Sequence, residues 1–211
     1  MVKEFFIFRH GETDWNREQR LQGSTDIPLN DVGRRQATEL HRFFLREPVD
    51  IFLSSDLSRA LETAKIAAGN QEFRVIADSR FRETNLGKAE GLTVTEVIET
   101  FGEEVWRAWH SSISNSDCIR FPEGETKKQH LDRLFSALNE YALHYDYSKM
   151  AVATHGGALR RMIHHLRPDL KEPVKVPNCA IYKFEVEVES RIWKVDIVNL
   201  AARSSDGVQD E

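Results

Sequence analysis

The sequence predicts an α/β fold: a mostly parallel sheet flanked by helices on both faces, with a C-terminal antiparallel hairpin. Three observations carry that prediction. Short apolar runs of strand-forming type alternate with amphipathic stretches through most of the 211 residues. Two of those runs, FFIFRHG and AVATHG, stop at a His-Gly pair and pass into polar sequence. The end of the chain, CAIYKFEVEVESRIWKVDIV, alternates apolar and polar residues as an antiparallel hairpin does.

Residues 4–8 form the first strand, stopped by Arg9, His10 and Gly11. Gly23 and Pro28 mark the loop that follows. Asn30 is the N-cap of a helix over 31–47, with Ala37, Leu40, Phe43 and Phe44 on one face. Residues 49–55 read as a second strand and 58–68 as a helix closed by Gly69. A third strand covers 73–78. From 93 to 110, Val94, Val97, Ile98, Phe101, Val105, Trp106 and Trp109 make a helical stripe that Gly102 interrupts. Residues 115–125 are a loop, and Thr126 with Gln129 forms a capping box for a helix to about Tyr145. Residues 149–166 repeat the order strand, His-Gly, helix, and the final hairpin turns near Glu189 and Ser190. No linker or repeat divides the chain, so one domain is expected over 1–203, with a disordered polar tail over 204–211.

The composition is that of a soluble globular protein, 40% hydrophobic and 30% charged. A net charge of −5, from 29 basic and 34 acidic residues, offers nothing to nucleic acid or an anionic membrane. No apolar run reaches membrane-spanning length, and the N-terminal run is too short for a secretory signal, which points to the cytoplasm. Cys118 and Cys179 lack metal or redox spacing and read as free thiols.

In open α/β sheets, ligands lie beyond the carboxyl ends of the strands. That rule brings Arg9, His10, Arg59, Glu83 and His155 to one rim. Such a set suits a phosphoryl group. Arginine presents a planar fork of donors to phosphate oxygens, and a neutral imidazole is a competent nucleophile. A glycine after each histidine lets backbone N–H groups approach an anion. Singly, each residue reads as easily as a solvated strand end, and Glu83 as a surface partner of Arg80 or Arg82. The functional reading rests on their coincidence. Trp106 and Trp109 read as core anchors with a share of a pocket wall. His164 and His165 lack metal-ligand spacing and read as structural or exposed.

At RHGETDWN the sequence resembles the histidine phosphatase superfamily, the phosphoglycerate mutase-like proteins. LQGSTDIPLNDVGRRQA, SSDLSRALETA, RETNLGKAEGLT, FPEGET and VATHGGALRRMI then follow in the family's order. The resemblance implies a phosphoglycerate mutase-like fold and a phosphoric monoester hydrolase of histidine acid type. It makes His10 the nucleophile, and Arg9, Arg59 and His155 the groups that grip the phosphate. Asn16 adds a side-chain donor, Gly156 a backbone N–H, and Gln22 and Gly23 border the substrate. Glu83 becomes the general acid and then the base. No metal or other cofactor is implied, and the partner is a small phosphorylated substrate met by a monomer or homodimer.

The stretch between Glu83 and FPEGET is shorter than in cofactor-dependent mutases, which favours the phosphatase branch. A phosphoglycerate mutase and a catalytically silent binding member of the fold are the alternatives. Lys88, Arg107, Arg120, Lys127 and Lys128 are candidates to meet a substrate carboxylate or second phosphate, though most read as solvated charges.

Overall fold

Four consecutive apolar residues, Phe5, Phe6, Ile7 and Phe8, are all buried, so the strand that carries them is covered on both faces. In the computed structural model, which describes residues 1–69, 75–111 and 118–203, that strand lies inside one sheet. The strands are β1 (Val2–Arg9), β2 (Ile51–Ser54), β3 (Val75–Ala77), β4 (Lys149–Thr154), β5 (Ile181–Glu187) and β6 (Ile192–Asp196). Their order is β3-β2-β4-β1-β5-β6. β3, β2, β4 and β1 run parallel, and β5 and β6 form the expected antiparallel hairpin at the β1 side.

Alternation along β1 divides the core in two. Phe5 and Ile7 face α6 (Lys127–His144) and α7 (Gly156–Leu166), packing with Leu134, Leu138, Leu159 and Ile163. Phe6 and Phe8 face α2 (Asp31–Arg46) and α3 (Ser58–Ala68), packing with Leu40, Phe44, Ala60 and Ala64. Each of these four β1 side chains contributes about 1.5–3 kcal/mol by leaving water. A smaller cluster around Leu86, Val97 and Phe121 joins α4 (Val94–Phe101) and α5 (Glu103–His110) to the sheet's carboxyl end.

The register matters most for function. Arg9 lies opposite Thr154 in the β1–β4 ladder, so the two His-Gly pairs leave the sheet side by side.

Several boundaries differ from the sequence reading. β1 is longer than expected at both ends, because Val2 and Lys3 pair with Glu187 and Val186, which periodicity cannot show. β2 is shorter, and β3 is described only from Val75, so residues 73–74 of the expected strand lie outside the described residues. The same holds for residues 204–211 and for 115–117 of the expected loop. Gly102, at φ +93°, splits the long amphipathic stretch into α4 and α5. The loop after His10 holds a short helix, α1 (Asp14–Arg17), with Thr13 and Asn16 forming a reciprocal capping box. Another short helix, α8 (Leu200–Arg203), follows β6. Among the described residues, no helix is long and apolar enough to cross a membrane.

Candidate active site

His10 follows the last residue of β1, and its backbone N–H donates to Thr154 O at 3.0 Å. The ring is buried. Its Nδ1 lies 2.6 Å from Gly11 O, a carbonyl that can only accept, so Nδ1 carries the proton. Nε2 therefore keeps its lone pair. Burial, then the charges of Arg59 and Arg9, hold the His10 pKa well below the usual 6.5, so the ring is neutral at physiological pH.

His155 caps α7 from the end of β4, and its ring centroid lies 5.2 Å from that of His10. Here the other nitrogen is engaged. Nε2 sits 2.9 Å from Ser55 Oγ, which already accepts from Leu57 N at 3.3 Å. If the serine hydroxyl donates to Nε2, the proton sits on the buried Nδ1, which has no partner among the described residues. His155 is also held well below its usual pKa, by burial first and then by Arg59 and His10.

Two arginines complete the cradle, Arg59 fully buried and Arg9 half-buried. Arg9 Nη1 donates to Val176 O at 2.7 Å, and Arg59 donates to Thr25 O and Gly23 O, both at 2.8 Å. The Nε–H of each is buried without a partner among the described residues, as is Gln22 Oε1. Burial pushes both guanidinium groups down to about 10, which still leaves them charged at neutral pH. Gly156 opens α7, so its N–H has no intrahelical acceptor. Asn16 uses Oδ1 twice, accepting from Thr13 N and Asn178 Nδ2 at 3.2 Å each, which leaves its NH₂ group to donate.

Glu83 approaches from beyond β3. Its Oε1 accepts from Thr84 N at 2.9 Å and its Oε2 from Gly157 N at 2.7 Å. A Cβ on Gly157 would stand 2.6 Å from Oε1, so only glycine admits the carboxylate there. Arg133 holds the supporting backbone by donating to Arg80 O, Arg82 O and Glu83 O, each at 2.8 Å, while paired with Glu125. The loop bearing Gln22 and Gly23 is clamped by Glu90, which accepts from Ser24 N and Thr25 N at 2.8 and 2.9 Å.

Each site residue expected from the sequence (Arg9, His10, Asn16, Gln22, Gly23, Arg59, Glu83 and Gly156) borders one cleft of about 880 Å³, with His155 buried directly behind. Trp106 and Trp109, read chiefly as core anchors, are only half-buried against the Phe121 cluster and form part of the cleft wall. Of the five cations expected to meet a second anion, only Lys127 reaches the cleft. Lys88, Arg107 and Lys128 are exposed and paired with Glu123, Glu103 and Asp132, and Arg120 lies beside Val105 on another face. The cations present instead are Arg20, Arg160, Arg161 and Lys171. His164 accepts from Val174 N at 3.3 Å and His165 is exposed, as expected, yet both border the cleft.

Sequence reasoning missed Ser55 and Asn178, which act across the fold and carry no local signal. It also missed Arg160, which lies one helical turn past Gly156 and was legible by that spacing. Among the described residues, no three His, Cys, Asp or Glu side chains gather as a metal site requires.

The model of the histidine phosphatase superfamily (branch 1) matches residues 5–200, and the chain belongs to that family. It is 33% identical over 197 residues to phosphoglycerate mutase-like protein 4 of Arabidopsis thaliana, covering 92% of this chain and 84% of that one. It is 29% identical to the uncharacterized phosphatase PhoE of Bacillus subtilis, covering 94% and 95%. The fold matches a phosphoglycerate mutase crystal structure from Bacillus anthracis with a TM-score of 0.85, at 24% identity, covering 98% and 96%.

Proposed function

We propose that this histidine phosphatase superfamily member hydrolyses phosphomonoesters of small metabolites through a phosphohistidine on His10, with no metal ion. One observation carries the reading: the Gly11 carbonyl fixes the proton on His10 Nδ1, so Nε2 is an unprotonated nucleophile inside a cationic cradle.

In the first step Nε2 forms a bond to phosphorus while the ester P–O bond breaks. The Arg9 and Arg59 guanidinium groups, the His155 Nδ1–H and the Gly156 N–H stabilise charge on the equatorial oxygens. Glu83 gives its proton to the departing alkoxide. In the second step water attacks phosphorus, Glu83 takes its proton, and the P–N bond breaks to release inorganic phosphate. Charge from Glu83 acts on both Arg9 and Arg59, which supports its place beside the transferred group.

The choice of water over a second phosphoryl acceptor rests on access. Between Glu83 and Phe121 the described chain holds only α4, α5 and short turns, and α5 lends Trp106, Trp109 and His110 to the cleft wall. A mutase must keep water from its phosphohistidine until the acceptor reorients.

Acid-quenched reaction with a ³²P-labelled phosphomonoester, EDTA present, is expected to trap acid-labile, base-stable label on the protein. Phosphate release should equal total turnover without a bisphosphate primer. Isomerisation of 3-phosphoglycerate exceeding phosphate release by tenfold or more would replace hydrolase with mutase. A requirement for Mg²⁺ would overturn the metal-independent chemistry.

A further inference from the structure

The cleft continues beyond the phosphate cradle, and its outer part is cationic and aromatic. Among its described lining residues seven are Arg or Lys and only Glu83 is a carboxylate, in a chain of net charge −5. Most of those cations have a role within the fold. Arg9 and Arg59 form the cradle, Arg20 pairs with Glu18 and Glu96, and Lys127 donates to Ala108 O and Ser111 O. The Arg161 guanidinium lies over the Trp109 ring at 5.2 Å.

Arg160 differs. It is half-buried on α7, and its Nε donates to Val174 O at 3.2 Å. That bond turns the guanidinium along the cleft wall, and no carboxylate pairs with it among the described residues. Its neighbours are basic or neutral. It lines the same cleft as Arg9, His110 and His164, and its charge lowers the pKa of all three. An arginine on an open surface would be compensated by water alone. A half-buried one among like charges is compensated best by a bound anion.

We infer that Arg160 is a specificity-determining residue that binds a second anionic group of the substrate, so that the preferred phosphomonoester carries a carboxylate or a second phosphate. The inference rests on the phosphatase reading of the same cleft. Nη1 and Nη2 present the fork that either anion matches in a bidentate way. Trp106 and Trp109 line the same cleft with apolar surface, suited to the carbon skeleton that joins the two anions.

The test compares substrates that differ by one anion. The ratio of kcat/KM for 3-phosphoglycerate over glycerol 3-phosphate probes a carboxylate. The ratio for fructose 1,6-bisphosphate over fructose 6-phosphate probes a second phosphate. One ratio should exceed unity in the wild type and collapse roughly 10–100-fold in Arg160→Met, the usual weight of a charge-assisted hydrogen bond. The loss should fall mainly on KM, and Arg160→Lys should restore part of it. Added KCl should erode the same ratio in the wild-type enzyme, a readout independent of how well the variants fold.

If neither ratio exceeds unity, or if Arg160→Met leaves both unchanged, the second-anion site is wrong. Hydrolysis of p-nitrophenyl phosphate, read in parallel, separates the two failures. When it proceeds while the ratios stay flat, the phosphatase reading survives without the subsite. If the wild type turns over no substrate, calorimetric affinities for 3-phosphoglycerate and glycerol 3-phosphate in the same proteins decide the subsite alone.

Discussion

The ends of β1 and β4 share a pattern and differ in chemistry. Both end in His-Gly, both lie in one register, and both rings are buried and held neutral by their surroundings. Yet His10 donates a hydrogen bond from Nδ1 to the neighbouring carbonyl, while His155 meets the Ser55 hydroxyl through Nε2. On the proposed chemistry the first ring meets the phosphate with a lone pair and attacks, and the second meets it with an N–H and donates. The residues before them diverge in the same sense: Arg9 joins the cradle, whereas Thr154 Oγ donates to Phe81 O at 2.8 Å and holds the segment that leads to Glu83. A histidine's role here is set by which nitrogen its partner occupies, and the His-Gly pattern alone does not encode it.

The largest effect separates the two rings outright. His10→Ala should reduce turnover to background and abolish trapped phosphoenzyme. His155→Ala should slow phosphoenzyme formation about 10²–10³-fold, the cost of losing one preorganised donor to the transition state, and still give label on His10. Label surviving in His10→Ala, or disappearing entirely in His155→Ala with the fold intact, would reverse or erase the distinction.

Much of this was legible in the sequence. The rim rule alone collected Arg9, His10, Arg59, Glu83 and His155, because parallel strands deliver their carboxyl ends to one edge whatever lies between them. Capping residues were equally readable: Asn30 accepts from Gly33 N at 2.9 Å, and Thr126 with Gln129 closes its box as expected. What escaped depends on distance in the chain. Ser55 meets His155 across 100 residues, and Asn178 meets Asn16 across 162. Most of the candidate second-anion cations are solvated charges, as the sequence reading had them, while those that line the outer cleft were not singled out. Lys88, Arg107 and Lys128 each have a carboxylate close by in the sequence or in space, and an exposed cation pairs with whatever carboxylate is near. Arg160 has none among the described residues, which no composition reveals.

The two glycines sharpen the comparison at a smaller scale. A Cβ on Gly11 would lie 2.4 Å from Gly33 O, a backbone atom in the first turn of α2. A Cβ on Gly156 would meet the Arg9 guanidinium at 3.2 Å, a side chain that can yield by a few tenths of an ångström. Gly11→Ala should therefore cost about 1–3 kcal/mol of stability by overpacking, seen as a lowered urea midpoint. Gly156→Ala should leave that midpoint within experimental scatter and lower kcat/KM about tenfold, because the displaced guanidinium misaligns the phosphate. Equal stability losses in both variants would mean that the second glycine also serves packing.

The smallest expected effect is one in which the two ends should behave alike. Each ring is neutral in the folded protein with its pKa depressed, so below about pH 6.5 the unfolded chain takes up a proton that the folded chain refuses. The stabilising contribution is complete above pH 6.5 and is lost as pH falls from there toward the folded-state pKa. His130, buried and likewise depressed, adds to the same slope. In this window each such ring steepens the fall in unfolding free energy by about 1.4 kcal/mol per pH unit. Denaturant titrations between pH 7 and 5.5 should show His10→Asn and His155→Asn each flattening that slope by about one proton's worth, despite their very different activities. A variant whose slope matches the wild type would show that its ring titrates normally in the folded state. For His10 that result would remove the neutral nucleophile on which the proposed chemistry depends.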